Sequence, residues 1–166
     1  MANYTHEEIT TATSGKIGSV AGLANVITDT RFVEETSEFD LIEMIRDKNL
    51  AHEATGVLLA LVGVENIIDE NPCKIIVAYH FEIAIFIEYR HKRGDGLTSK
   101  KYFEACIFAL NEVFNSDRAL GLDNRVEHQC LQADDDFAVI DWGNDHGSLL
   151  THFAKFRFIV EVENAY

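Results

Sequence analysis

Histidine is the residue type in this chain that most directly suggests metal chemistry, because the sequence contains seven of them. Zinc and related ions need imidazoles that one helix or strand brings together, as HxH, HxxxH or HExxH spacing does. The histidines show none of these spacings: His6, His52, His80, His91, His128, His146 and His152. We interpret them as scattered surface residues, and we predict no metal site and no cofactor.

Acidic residues offer two further candidate sites, and neither has the pattern that its chemistry needs. Asp134-Asp135-Asp136 could ligate a hard cation, but a calcium loop spaces its ligands at alternating positions and ends in a bidentate glutamate. A nuclease would place an acid on one strand and an acid-x-Lys on the next, which Glu82, Glu88 and Arg90 only approximate. Arginine cannot replace that lysine, because it keeps its proton and has a different geometry. We predict no catalytic residue and expect that the protein is not an enzyme.

One cluster of charge remains as a candidate functional surface. It consists of the cations around residues 90–101, namely Arg90, His91, Lys92, Arg93, Lys100 and Lys101. A solvated loop would account for it, and so would a patch that docks on an acidic surface, including another copy of this acidic chain. The candidate residues for contact with another subunit or a partner are therefore Arg90, Lys92, Arg93, Lys100 and Lys101.

The overall charge restricts what such a surface can bind. The chain has 166 residues, with 14 Lys and Arg against 28 Asp and Glu, and its formal net charge is −14. Binding to nucleic acid depends on cations that displace condensed counterions from phosphates, so this balance predicts repulsion from DNA. Only the middle of the chain, residues 74–115, is not acidic, with 6 cations and 5 anions.

Length, hydropathy and cysteine content are typical of a single globular domain. An apolar fraction of 47% favours one domain over residues 1–166 with one core. The longest apolar run, residues 56–64, is half or less of the roughly 20 residues that span a bilayer, so we expect no membrane segment. Three cysteines without CxxC spacing indicate neither a disulfide framework nor a zinc knuckle. The first residues lack the pattern of a secretory signal, so we expect a protein made in the cytosol.

Two helical patterns are predicted before residue 55. Thr5 and Glu8 form a capping box, and the helical pattern that it begins extends to Ile27, as one broken helix or two short ones because glycines interrupt it. A second apolar pattern, between Phe39 and Ile45, follows an acidic stretch that suits a helix N-terminus. We therefore expect residues 1–55 to be a mostly helical N-terminal segment.

The clearest pattern in the chain is a long alternation, which predicts a strand from Ile75 to Arg90. Every second residue is large and apolar: Ile75, Val77, Tyr79, Phe81, Ile83, Ile85, Ile87 and Tyr89. At 3.3 Å per residue this strand would be about 50 Å long, which is hard to cover in a small domain. We expect either a bend or bulge midway, or an end that projects from the domain and pairs with something else.

The remaining elements complete the predicted fold. A buried strand over residues 56–64 precedes the long strand, and three strands over residues 127–132, 136–142 and 152–163 end the chain. Between them a helix runs from residue 98 to residue 115, with one apolar face that packs on the sheet: Tyr102, Phe103, Cys106, Ile107, Leu110, Val113 and Phe114. This order predicts an α+β fold, with an antiparallel or mixed β-sheet, one amphipathic helix packed on it, and an N-terminal helical segment.

The order of these segments resembles that of phage tail-completion proteins, also called tail terminators. The similarity lies in the Gly-bounded strand 56–61, the alternating strand 79–90, the amphipathic helix after a polar loop, and the terminal strand 156–162. It is a similarity of pattern between residues 56 and 166. The first 55 residues are longer and richer in glycine than this family leads us to expect.

The resemblance implies a structural ring subunit of a phage tail or neck. Such a subunit would form a homo-oligomer, a hexameric ring, in the virion, and would join the tail tube to the neck or head connector without catalysis. DNA would pass through its lumen without specific binding, since an acidic wall repels phosphate. The net charge also leaves open an acidic cytosolic inhibitor or adaptor that masks a basic partner protein, and a metal-dependent enzyme is a third interpretation.

Overall fold

The computed structural model describes residues 3–24, 26–29, 55–68, 74–90, 96–129, 132–133, 142–143 and 149–165. Two helices and seven strands follow one another within them: α1 (His6–Gly18), β1 (Val26–Asp29), β2 (Thr55–Ile68), β3 (Lys74–Arg90), α2 (Gly96–Ser116), β4 (Val126–His128), β5 (Gln132–Ala133), β6 (Trp142–Gly143) and β7 (Leu149–Ala165). The fold is α+β, which confirms the fold class predicted from the sequence.

The strands form one mixed sheet in the order β1-β2-β3-β7, and the short strands β4, β5 and β6 line successive stretches of the other edge of β7. β1 is parallel to β2, and the other pairs are antiparallel. β3 runs the whole length of the sheet beside β7. We therefore name the two ends of the sheet by β3: it starts at the first end, at Lys74, and it ends at the second, at Arg90.

The long strand predicted from the alternating pattern is β3, and it lies inside the sheet rather than at an edge. β7 has the same length of 17 residues and pairs with it from Lys74↔Ala165 to Arg90↔Leu149. β2 covers residues 75–87 of the other edge. The alternative in which an end of this strand projects to pair outside the chain is therefore wrong over this span, because the chain supplies both neighbours.

The other alternative for the long strand was a bend or bulge midway, and the structure has a bulge in the neighbouring strand β2. The register of β2 against β3 shifts between Leu61 and Gly63, so that Val62 has no residue opposite it. A bulge of this kind bends the strand that carries it and increases the local twist. The paired strands can thus remain continuous over their whole length while the sheet curves beneath the helices.

The hydrophobic core lies between α1, α2 and one face of the sheet. The large apolar residues of β3 that the alternation placed on one face, Tyr79, Phe81, Ile83 and Ile85, are all buried there. The rings of Phe81 and Phe158 stack with centroids 5.3 Å apart. Burying side chains of this size contributes about 1.5–3 kcal/mol each, so the periodicity of two in β3 and β7 largely determines which face carries the helices.

α1 confirms the predicted capping box and ends earlier than its sequence pattern suggested. The Thr5 hydroxyl accepts a hydrogen bond from Glu8 N, and the Glu8 carboxylate accepts one from Thr5 N. The helix stops at Gly18, and the chain turns through Gly22, which has a φ of +89°, before entering β1. The prediction of helix up to residue 27 was therefore wrong, whereas the second predicted helix, at residues 39–45, lies outside the described residues.

The last of the three strands predicted after α2 is found as β7, and it is longer than expected. The strand predicted over residues 127–132 is interrupted, because β4 ends at His128 and β5 begins at Gln132. Most of the strand predicted over residues 136–142 lies outside the described residues, and its last residue, Trp142, begins β6. In β4 the buried ring of His128 keeps the alternation that Val126 begins, and it faces the C-terminus of α2. Neither of the two described helices is long and apolar enough to cross a membrane.

Candidate subunit-contact surfaces

The cations predicted as contact residues are placed in part by the described residues. Arg90 is the last residue of β3, and Lys100 and Lys101 lie in the second turn of α2. Lys92 and Arg93 belong to residues 91–95, which lie outside the described ranges. Five residues can span at most about 18 Å, so Arg90 and both lysines lie toward the same end of the sheet.

Lys100 and Lys101 are exposed to solvent, and their contacts within α2 add little to the stability of the helix. The Lys100 Nζ lies 3.9 Å from Glu104 Oε1, an exposed pair worth at most about 0.5 kcal/mol. Lys101 has no ion-pair partner among the residues that the structure describes. The helix dipole opposes cations within the first turn of a helix, and because α2 begins at Gly96, earlier than predicted, both lysines lie beyond that turn.

The outward face of α2 also carries an apolar side chain that the sequence analysis missed. Phe108 is 67% exposed, and it shares one helical stripe with Lys101, Ala105 and Glu112, all of them exposed. The prediction that Tyr102 packs on the sheet was wrong, because its side chain is 45% exposed. We call Lys101, Ala105 and Phe108 the α2 stripe, which Glu112 continues one turn further along.

A second surface lies at the N-terminus of α1, at the other end of the sheet. Tyr4 N donates to Asn164 Oδ1 at 3.3 Å, which attaches the start of α1 to the end of β7. A shallow groove of about 630 Å³ opens there, and its lining combines two carboxylates with apolar and hydroxyl groups: Tyr4, Thr5, Glu7, Glu8, Thr11, Ala12 and Leu122. We call this the α1 groove.

Two carboxyl groups, one in the α1 groove and one behind it, have lowered pKa values, which favours their ionised form. Hydrogen bonds from the Thr5 backbone and hydroxyl hold the pKa of the Glu8 carboxyl below its ordinary value, so Glu8 is ionised at neutral pH. Behind the groove, hydrogen bonds from the Arg125 side chain lower the pKa of Asp123 to about 2. Arg125 Nη2 lies 2.8 Å from Asp123 Oδ2, and its guanidinium lies 4.9 Å from the centroid of the Tyr4 ring.

The two surfaces lie at opposite ends of the molecule. α1 begins beside Asn164, close to where β3 starts, whereas α2 begins after β3 has ended at Arg90. Acidic residues gather toward the first end: Glu7, Glu8, Glu65, Glu161 and Glu163. The described cations of the predicted patch lie toward the second end. The α1 groove is thus acidic, whereas α2 exposes Lys101 and a Lys100–Glu104 pair, with Glu112 further along, and the two surfaces cannot meet within one molecule.

On the polar face of the sheet, acidic side chains that the structure describes form ion pairs. Glu82 lies between two cations, with Lys155 Nζ and Arg157 Nε each 3.0 Å from its carboxylate oxygens. His80 Nε2 is 3.6 Å from Glu65 Oε2. Glu82 is thus engaged in ion pairs, and no group of three metal-ligating side chains occurs within the described ranges. The nuclease interpretation gains no support from this face.

Two histidines contradict the interpretation of all seven as surface residues. His128 and His152 are 2% and 1% exposed. Nδ1 of His128 lies 2.7 Å from Gln129 O, and its Nε2 lies 2.9 Å from Phe114 O, in the last turn of α2. His152 stacks on Phe103, with ring centroids 5.4 Å apart. Both have structural surroundings. The alternation of the last strand, which places His152 on one face with Ala154 and Phe156, is the signal that could have shown its burial.

Cys106 confirms its predicted place on the packing face of α2. It is 3% exposed, and burial raises the pKa of its thiol, which disfavours the nucleophilic thiolate. Its Sγ lies 3.8 Å from Ala21 O, in the turn between α1 and β1. We interpret it as a buried structural thiol.

Comparison with known proteins adds no assignment to these surfaces: no protein-family model and no curated protein sequence matches the chain.

Proposed function

We propose that this protein is a structural subunit that assembles with copies of itself into a ring, and that the ring belongs to a phage tail or neck. The observation that carries the proposal is the placement of two different surfaces at opposite ends of the sheet, the carboxylates of the α1 groove at one end and the exposed Lys101 of α2 toward the other. The order of segments, which resembles that of tail-completion proteins, is the reason for naming a tail or neck.

Two different surfaces at opposite ends favour contacts of one particular kind. Two different patches that meet make a heterologous contact, which repeats from copy to copy and closes into a ring when the rotation between copies allows it. An isologous dimer would instead need one patch that complements itself. Complementary charge also orients the approaching copies before they touch.

The net charge of −14 agrees with a ring through which DNA passes. Negative charge on a channel wall repels phosphates, so that a duplex slides without being held. The proposed partners are further copies of the chain, the tail tube, and the neck or head connector. No cofactor is part of the proposal.

The test is the oligomeric state of the purified protein, alone and with a tail-tube protein from the same genome. Light scattering after gel filtration and electron microscopy of the particles are expected to show a closed ring of uniform size in at least one of the two samples. A chain that stays monomeric in both, without binding the tube protein, would rule out this function.

An acidic inhibitor or adaptor is the second candidate, and the excess of exposed carboxylates at the α1 end favours it. Such a protein would cover a basic surface of its partner and would bind it in a salt-sensitive manner. Affinity capture from the native host separates the candidates. Recovery of a basic protein in place of tube or connector proteins would support the inhibitor.

A further inference from the structure

We infer that the α1 groove of one copy receives the α2 stripe of a second copy. This contact rests on the proposed function, because it names the surfaces through which the subunits would join. It concerns Glu7, Glu8, Ala12 and Leu122 on one copy, and the α2 stripe on the other.

The groove has the chemistry to hold a helix face that is basic at one end and aromatic at the other. Glu7 and Glu8 occupy the first turn of α1, and Ala12 lies one turn further along. Leu122, on the turn after α2, forms an apolar wall with Ala12. Thus carboxylates lie at one end of the groove and apolar groups at the other.

The α2 stripe has the matching order of charge and apolar surface. Lys101 and Phe108 are seven residues apart, which corresponds to about 10 Å along a helix. Ala105, between them, leaves room for close approach of another backbone. Glu7 and Ala12 are five residues apart, or about 7.5 Å, and the long lysine side chain makes up the difference. Lys101 can therefore meet Glu7 while the Phe108 ring enters between Ala12 and Leu122.

A second copy is the occupant that charge complementarity selects. The stripe and the groove lie at opposite ends of the sheet, so neither can reach the other within one molecule. Every copy carries both surfaces, however, and thus offers each neighbour the surface that it needs. The exposed Phe108 ring, two turns along α2 from a lysine that has no ion-pair partner within the described ranges, is also suited to anchor an interface, where aromatic residues are enriched and carry much of the binding energy.

Charge reversal tests the contact. Lys101→Glu places an acid against the acidic groove, and Glu7→Lys places a base against the basic stripe. Each variant alone is expected to raise the concentration at which half of the protein is assembled by about tenfold or more, because each creates a repulsive pair. Mass photometry or sedimentation of the wild type and both variants supplies the measurement.

An equal mixture of the two variants provides the decisive comparison. In an alternating assembly one interface keeps both native residues and the next carries both reversed charges, so each contact is again attractive. We expect the mixture to recover assembly to within about threefold of the wild type. Arg118→Glu and Glu127→Lys are matched controls, because they change the net charge equally at an exposed pair that belongs to neither surface.

The outcomes separate this contact from the proposed function. A wild type that assembles while Lys101→Glu and Glu7→Lys assemble equally well would overturn the contact and leave the ring function standing, as would a mixture that fails to recover. A wild type that does not self-associate would also overturn the contact. The ring function would then be decided by binding to the tube protein.

Discussion

At the scale of single residues, the buried side chain of His128, in β4, contacts the C-terminal end of α2. α2 has no basic residue of its own in its last turn. The ring of His128, which belongs to β4, lies against the carbonyl oxygen of Phe114 in that turn. Its Nε2 lies 2.9 Å from Phe114 O and its Nδ1 lies 2.7 Å from Gln129 O, and a ring N–H that faces a helix C-terminus satisfies a carbonyl that the helix itself cannot. The edge-to-face contact with the Phe114 ring holds the imidazole in place.

Replacing His128 with leucine is therefore expected to destabilise the fold. The substitution leaves Phe114 O buried without this donor, at a cost of about 1–3 kcal/mol. Urea unfolding followed by fluorescence measures the free energy of unfolding. His6→Leu is the control, because His6 is exposed in the first turn of α1 and its replacement should change stability by about 0.5 kcal/mol or less. Similar losses in the two variants would contradict a capping role for His128.

At the scale of elements, two glycines of the N-terminal segment should respond oppositely to alanine. Gly22 has a φ of +89°, and a Cβ there would lie 2.4 Å from the Tyr102 hydroxyl, so Gly22→Ala should cost about 1–2 kcal/mol. Gly15 lies within α1 with open space around it, so Gly15→Ala should stabilise the protein by about 0.5–1 kcal/mol. Thermal unfolding of both variants measures the difference. A loss of stability in both would show that α1 does not continue through residue 15.

The elements also show which features of the fold could be predicted. Patterns with a local physical cause were found: the capping box of α1, the alternation of β3, and the apolar face of α2. The parallel strand β1 was missed, because four residues carry little periodicity and their pairing with β2 is a long-range contact. The turn at Gly22 is what separates α1 from β1, and a helical pattern that crosses several glycines does not reveal which of them breaks it.

The same reasoning applies to the candidate surfaces. The lysines of α2 stand out in the sequence because they belong to a cluster of cations in an acidic chain. Phe108 does not stand out, since aromatic residues occur on both sides of α2 and only the packing of the core decides which of them is exposed. No local sequence pattern predicts the α1 groove, because Leu122 is far from α1 in the sequence and meets it only in the folded chain.

At the scale of the whole molecule, net charge and charge placement have opposite effects on assembly. Copies that each carry −14 repel one another at long range, whereas the α1 groove and the α2 stripe attract at short range. Salt screens the two effects over different distances, since the Debye length falls from about 30 Å at 0.01 M to about 8 Å at 0.15 M and about 3 Å at 1 M. The dependence of assembly on salt therefore reports which effect dominates.

We expect assembly to be strongest at intermediate ionic strength. At 0.01 M the repulsion between whole subunits is hardly screened, near 0.15 M it is largely removed while close ion pairs persist, and at 1 M those pairs weaken as well. Sedimentation of the wild type at the three salt concentrations measures the assembled fraction. Phe108→Ser should lower that fraction at every salt concentration and keep the maximum in place, because it removes apolar contact without changing charge. An assembled fraction that rises steadily up to 1 M would instead indicate an apolar interface to which Lys101 and Glu7 contribute nothing.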